Sequence, residues 1–382
     1  MLILSNSFEK VKKWLTSSGL VINDAEDENY GAVHSFYDTK NKEYGFLYPE
    51  ITGYYISALR FLYELERDKK YLDLAKHSAD WLIHIYEKYG GIIQGLDGGK
   101  PRSKNVFSFD TAICAKALID FYLLSDDKKY LDYGKKMVTW LTEEALDEDG
   151  SIKPLKNLDE NKFLESSDLW YKQKGCLHIK VAIPLLSLYQ VTKDNILLEK
   201  AIKICNSYVN FQNEDGSIHL HRSGSIINLH TQCYALEGLL YAFTLTHDNN
   251  YLEACKNALL WSSQKIVDDG SIELWFGSRY RSKSSYATAQ LIRLMILLDK
   301  LNNNTFYKHQ IQKLYSFLLS LQANDQDNKI DGGFHEEFYK TLFGWQKRNR
   351  INSWGSMFAL QAISWTENYE QLSFEDSVKH IF

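Results

Sequence analysis

One plan recurs along this chain: an apolar helix, a short polar turn, a second helix and then an Asp-Gly turn. The short turns read ELERDKKYLDLA (64–75), LLSDDKKYLDYG (123–134), VTKDNILLEKA (191–201), LTHDNNYLEAC (245–255) and LNNNTFYKHQ (301–310). The later turns read DEDGSI (147–152), NEDGSI (213–218), DDGSI (268–272) and KIDGGF (329–334). These Asp-Gly turns lie about 55 to 66 residues apart, room for two helices of four to five turns plus loops. A period of that length dictates a repeat architecture before any single residue is considered.

Within each pair the first helix is the more apolar. YYISALRFLYEL, TAICAKALIDFYLL, VAIPLLSLYQV, CYALEGLLYAFTL and AQLIRLMILLDKL carry few charges, whereas YLDLAKHSADWLIHIYEKY and YLEACKNALLWSSQ alternate apolar and charged positions at helical spacing. A helix that is apolar nearly all round is buried, and an amphipathic one covers it. The expectation is an inner and an outer ring of helices in one all-α domain, 1–382. A sixth inner helix starts near Trp354, and the stretch 8–15 is its expected outer partner, which closes the ring. Only 4 Pro occur, and no Pro/Ser-rich linker or low-complexity tract divides the chain.

Composition excludes several classes. The net charge of −5 does not suggest a nucleic-acid binder. Cys114, Cys176, Cys205, Cys233 and Cys255 are dispersed in apolar stretches without a CxxC pair, which reads as reduced core cysteine rather than disulfides or zinc. The opening MLILSNSFEKVKKWL lacks the basic and apolar regions of a signal peptide, and no stretch approaches a membrane span. The expected location is cytoplasmic.

The connections are asymmetric. Inner-to-outer turns are a few residues long, whereas outer-to-inner connections are far longer, and long loops in a compact domain are usually functional. They emerge where the inner helices have their N-termini, at the positive end of the helix dipoles.

PEITGYYISAL (49–59), FDTA (109–112), CLHIKVA (176–182) and LHTQCYALEGLL (229–240) resemble motifs of toroids from polysaccharide-biosynthesis gene clusters. Over essentially its whole length the chain resembles the six-hairpin glycosidase-like (α/α)6 toroid superfamily. That fold hosts glycoside hydrolases, unsaturated glucuronyl hydrolases, uronate lyases, sugar epimerases, terpene cyclases and prenyltransferase subunits, so it does not choose a function. The Asp-rich DxDD or DDxxD cluster of a terpene cyclase is missing. Cys176 beside His178 is the nearest approach to a zinc motif and lacks further ligands. Carbohydrate chemistry without metal or cofactor is the reading that survives.

The candidates for chemistry stand at inner-helix starts: Glu50, Asp110, His178, His230, Tyr286 and Trp354. Glycosidic hydrolysis needs one group to protonate the leaving oxygen and another to activate water. Glu50 and Asp110 are the carboxyls in register, although Asp110 could equally serve as a helix cap. His178 and His230 occupy matching repeat positions. The pair His219 and His221 could touch a metal only with a third ligand, and none is in register. Trp170, Tyr171, Trp275, Tyr280 and Trp345 lie in the long loops, where rings can stack on sugar faces or simply anchor the loop.

Five loop stretches, 98–105, 170–175, 220–224, 276–285 and 344–354, are basic and contain no acid. Arg102, Arg222, Arg279, Arg281, Arg348 and Arg350 are therefore expected to form a positive mouth, suited to uronate carboxylates. The leading expectation is a hydrolase for an acidic, uronate-containing oligo- or polysaccharide, with Asp110 and Glu50 as acid and base. A uronate lyase or C5-epimerase is the alternative, with His178, His230 or Tyr286 removing the proton beside the carboxylate. A non-catalytic glycan-binding or polysaccharide-assembly subunit is the third.

Overall fold

A computed structural model describes residues 4–166, 169–222 and 224–382. In it the repeat becomes helix pairs. The chain runs through α1 (Asn6–Ser17), α2 (Pro49–Glu66), α3 (Lys70–Tyr89), α4 (Ser108–Ser125), α5 (Lys128–Trp140), α6 (Ala182–Thr192), α7 (Asn195–Val209), α8 (Leu229–Thr246), α9 (Asn249–Gln264), α10 (Ser285–Leu301), α11 (Lys308–Ser320), α12 (Ser353–Glu367) and α13 (Phe374–Val378). Even-numbered helices form the inner ring, and the third of them is extended at its start by a 3-10 turn, Cys176–Val181. Each inner helix packs on the next, and α12 packs back on α2, so the ring closes. The outer partner of α12 is α1, from the other end of the chain. Ser5 N–H donates to Glu367 Oε2 at 3.0 Å, and the Gln322 side-chain amide donates to the Ser7 carbonyl at 2.8 Å. This is the all-α (α/α)6 toroid that the repeat implies.

Burial follows the two sequence patterns. In α4 every residue from Ser108 to Phe121 is buried, whereas α7 buries only Ala201, Ile204, Cys205 and Tyr208 along one stripe. The five cysteines are buried and unbridged.

The two kinds of turn have distinct physical roles. Four inner helices end on a left-handed residue, Arg67, Asp126, Lys193 or His247, and an Asp follows at once. In three of these hairpins that Asp caps the outer helix: Asp127, Asp194 and Asp248 accept from backbone N–H groups of the first turn. Two residues thus end one helix and start the next. The Asp-Gly turns instead dock one hairpin on its neighbour. Gly332 (φ +88°) lies so close to α1 that a Cβ would sit 2.4 Å from the Lys10 carbonyl oxygen, and Gly150 (φ +86°) meets the Lys203 carbonyl of α7 in the same way.

The long connections contain structure that helical periodicity did not announce. Short antiparallel strands pair there, as in the sheet that joins Phe334–His335, Arg350–Asn352, Phe36–Asp38 and Glu43–Tyr44, with Tyr37 opposite Ile351. Such pairing satisfies backbone groups that a packed loop would otherwise leave without partners. At the opposite end of the ring, segment 374–382 crosses the axis. The Phe382 ring packs near Tyr54 and Phe358, and its backbone oxygen accepts from Lys180 Nζ at 2.6 Å. The toroid is therefore open at one end only. Among the described residues no helix is long and apolar enough to cross a membrane.

Candidate active site

Each inner helix turns its second residue towards the axis at the open end. Glu50, Phe109, Leu177, His230, Tyr286 and Trp354 all line one cavity of roughly 320 Å³. Asp110 lies beside Phe109 and reaches the same space. The loops add Tyr48, Trp170, Tyr171 and Glu336, and Tyr234 enters from one turn further along α8.

Burial favours the protonated form of the acidic groups in this cavity. Burial pushes Glu50 up to about 7, against the opposing influence of the Tyr48 hydroxyl and the Lys180 charge. Asp110 rises well above the usual carboxylate range, first through burial and then through the charge of Glu50. The Tyr48 hydroxyl interacts with both carboxyls. Asp110 Oδ2 is buried and has no well-aligned hydrogen-bond partner. Glu336 is pushed up to about 7 by burial and by neighbouring Glu337, with Arg348 and Arg350 opposing.

His230 has a defined tautomer. Gln290 donates its side-chain amide to Glu237 at 3.3 Å, which turns the Gln290 carbonyl oxygen towards His230 Nδ1. That oxygen can only accept, so Nδ1 carries the proton and Nε2 keeps its lone pair. Burial lowers this imidazole to about 3. Its ring lies between Tyr234 and Tyr286, with centroids 4.2 and 4.6 Å away. Tyr286 continues to Trp354 at 5.8 Å, and Trp170 meets Tyr171 edge-on at 5.5 Å. The walls therefore offer flat apolar faces around a ring of acids.

His178 is elsewhere. It is the third residue of the 3-10 turn, buried, with Nδ1 against the Gly175 backbone and its ring 6.2 Å from Tyr208 of the outer helix α7. It closes its own helix start, and Leu177 takes the cavity position. Trp275 belongs to a short strand opposite Asn228 and packs on the core. Tyr280 donates to Glu337, and Trp345 stands under Arg281, Lys283 and Lys340, away from the cavity. His221 contacts the Lys174 carbonyl at 3.3 Å, and neither it nor His219 lines the cavity.

Three of the six arginines of the expected basic mouth are paired with carboxylates. Arg281 pairs with Glu273, Arg348 with Glu337 and the Tyr280 hydroxyl, and Arg350 with Glu336 at 3.8 Å. Arg222 lies over Phe211, and Arg279 is exposed. Arg102 lies over Phe46 at 3.6 Å, and Phe46 meets the cavity residue Tyr48 at a tilt, with centroids 5.1 Å apart. Arg102 is thus joined to the cavity wall through two rings.

No family model matches the sequence, and no curated protein matches it. Solved structures do match, over nearly the whole chain. A cellobiose 2-epimerase from Bacillus thermoamylovorans is 15% identical, with a TM-score of 0.78 over 96% of this chain and 98% of that one. A D-mannose isomerase is 14% identical, with a TM-score of 0.77 over 96% and 98%. An unsaturated glucuronyl hydrolase specific for heparin is 13% identical, with a TM-score of 0.69 over 96% and 98%. The chain has the (α/α)6 toroid fold that these structures share.

Proposed function

We propose that this protein is a glycoside hydrolase that acts on a terminal unit of an acidic, uronate-containing oligo- or polysaccharide. One observation carries the reading: two carboxyls, Glu50 and Asp110, share a buried cavity, where burial first and the neighbouring Glu50 second favour the protonated form of Asp110. Asp110, the more strongly raised of the two, is the acid. It gives its proton to the glycosidic oxygen as the bond to the anomeric carbon breaks. Glu50, whose ionised form is favoured by Tyr48 and Lys180, takes a proton from the water whose oxygen bonds to that carbon. The blind floor favours the end of a chain over its middle. Trp170, Tyr171, Tyr286 and Trp354 would hold the sugar faces, and Arg102 is the cation placed to meet a uronate carboxylate. The folds of carbohydrate enzymes among its structural neighbours are compatible with this chemistry.

His230 supports a second reading, epimerisation or isomerisation by proton removal next to a carbonyl or carboxylate. Its Nε2 lone pair is available, but a group at about 3 is a weak base near neutral pH, and no second histidine lines the cavity. Incubation with acidic oligosaccharides and mass spectrometry of the products separates the readings. Hydrolysis gives a shortened chain and a released sugar. Asp110→Asn should slow that release roughly 10²- to 10⁴-fold, the usual worth of a positioned acid. A product of unchanged mass but altered stereochemistry, insensitive to Asp110→Asn, would favour His230 chemistry and sink the hydrolase reading.

A further inference from the structure

A hairpin rises from the open face. Its strands are Glu337–Thr341 and Gly344–Lys347, paired with Lys340 opposite Trp345 and Thr341 opposite Gly344, and its first strand also pairs with Ser282–Ser284. The tip is well made. Thr341 Oγ1 donates to the Gly344 carbonyl at 3.0 Å and accepts from Phe343 N–H at 3.2 Å, and Gly344 supplies the positive φ (+110°). The conformational demand of the turn is met by Gly344, so nothing in its geometry requires large apolar residues beside it. Leu342 and Phe343 occupy those places, and they are 101% and 92% exposed. The next most exposed large apolar residue, Phe306, reaches 60%.

The shoulders of the ribbon are cationic. Lys340 lies along Trp345 at 5.4 Å and Lys347 along Phe338 at 5.6 Å, both exposed and without a carboxylate partner among the described residues. Trp345 also faces Arg281 and Lys283. An apolar point ahead of a basic and aromatic collar is the arrangement that enters a lipid headgroup region: the point leaves water, the rings sit at the boundary, and the lysines meet lipid phosphates. A protein partner would need a complementary face of about 1,000 Å² or more in total, which two residues on a narrow ribbon do not offer.

We infer that the 337–347 hairpin is a surface anchor that inserts Leu342 and Phe343 into an anionic bilayer, with Lys340 and Lys347 as its electrostatic contacts. The anchor shares the face of the cavity mouth, since Glu336 lines the cavity directly before the first strand. Docking therefore turns the mouth towards the lipid. This inference stands whether or not the cavity hydrolyses glycosides.

Cosedimentation of the purified full chain with vesicles tests it, using mixed phosphatidylglycerol and phosphatidylcholine against phosphatidylcholine alone. The full chain should bind the anionic vesicles, weaken with added salt, and bind the neutral ones roughly tenfold less well. Leu342→Ser with Phe343→Ser, and separately Lys340→Glu with Lys347→Glu, should each lower anionic binding by about tenfold or more. Thermal unfolding of both variants should match the parent, because the altered side chains are exposed. Absence of binding to anionic vesicles at low salt, or binding that survives the Leu342/Phe343 change, overturns the anchor. So does a concentration-dependent dimer that the same change converts to monomer, because the tip would then meet a second copy of the chain.

Discussion

Buried charge occurs at two levels of the toroid, and the two levels treat it in opposite ways. Below the cavity two buried acids, Glu237 and Asp120, each meet two cations, whereas Asp299 is held by the Tyr307 N–H and the Tyr369 hydroxyl. Glu237 is met by Lys180 at 2.6 Å and by Arg293, and Arg293 also donates to Gln361 at 2.7 Å. Asp120 is met by Arg60 at 2.6 Å and by Lys116. Although burial alone would raise it, Glu64 is held below the usual carboxylate range by His380 and Arg60. In the cavity, Glu50 and Asp110 have no ion-pair partner among the described residues, and Glu336 has only Arg350 at 3.8 Å. Glu237 and Asp120 are as deeply buried as Glu50 and Asp110, so pairing rather than depth distinguishes the two levels. The lower level is built to hold the ring together. The upper level leaves acidity uncompensated, and that is where proton transfer can occur.

The largest expected effect breaks the lower level. Glu237→Ala leaves Lys180 and Arg293 buried without their carboxylate, and removal of one partner from a buried ion network costs about 3–5 kcal/mol. Denaturant unfolding should show a loss of that order, whereas Glu50→Gln in the cavity should cost none of it. Equal losses for the two variants would erase the distinction between the levels.

The next effect is a pH dependence of opposite sign to that of a paired acid. Glu336 is raised to about 7 in the folded protein, so between its ordinary value of 4.5 and that value the folded state binds more protons than the unfolded state. Stability from this group therefore falls as pH rises through that window. Glu336→Gln should leave stability near pH 4 unchanged and raise it by up to about 3 kcal/mol at pH 8. A variant destabilised at pH 8 would mean that Glu336 is ionised and held by Arg350 and Arg348. The same logic applied to Glu50 gives an activity profile: kcat/KM for glycan hydrolysis should rise through about pH 7 as Glu50 ionises. A profile flat from pH 5 to 8 would remove Glu50 as the base.

Much of this was legible in the sequence because it depends on local pattern. Apolar periodicity separates inner from outer helices, and equivalence between repeats places Glu50, His230, Tyr286 and Trp354 around one cavity, which Asp110 reaches from one residue further along its helix. His178, like Asp110, stands one residue past the axial position, which Leu177 takes, and its Nδ1 turns back on Gly175. Glu336 has no repeat equivalent. It sits in a loop, and only the fold of 321–352 brings it beside helix starts. The basic mouth is partly offset for a related reason. Stretches 276–285 and 344–354 contain no acid, yet Glu273 and Glu337 lie just outside them and fold back onto Arg281 and Arg348.

That last point leaves the smallest and most specific prediction, on which arginine a uronate would feel. Arg281 is already paired with Glu273, and Trp345 beside it stands away from the cavity. Arg102 lies over Phe46, which packs at a tilt against the cavity residue Tyr48, and its donors meet no carboxylate among the described residues. An exposed ion pair contributes about 0.2–1 kcal/mol, which corresponds to a change of up to about fivefold in affinity. Arg102→Ala should weaken binding of a uronate-ended oligosaccharide by a few-fold and leave a neutral analogue unchanged, as read by titration calorimetry. Arg281→Ala should alter neither, because a substrate carboxylate would first have to displace Glu273. The Arg102 effect should shrink with added salt, since the Debye length is about 8 Å at physiological ionic strength. An equal loss for charged and neutral sugars would make Arg102 a packing residue that supports Tyr48. A loss confined to Arg281→Ala would move the carboxylate contact out to the rim.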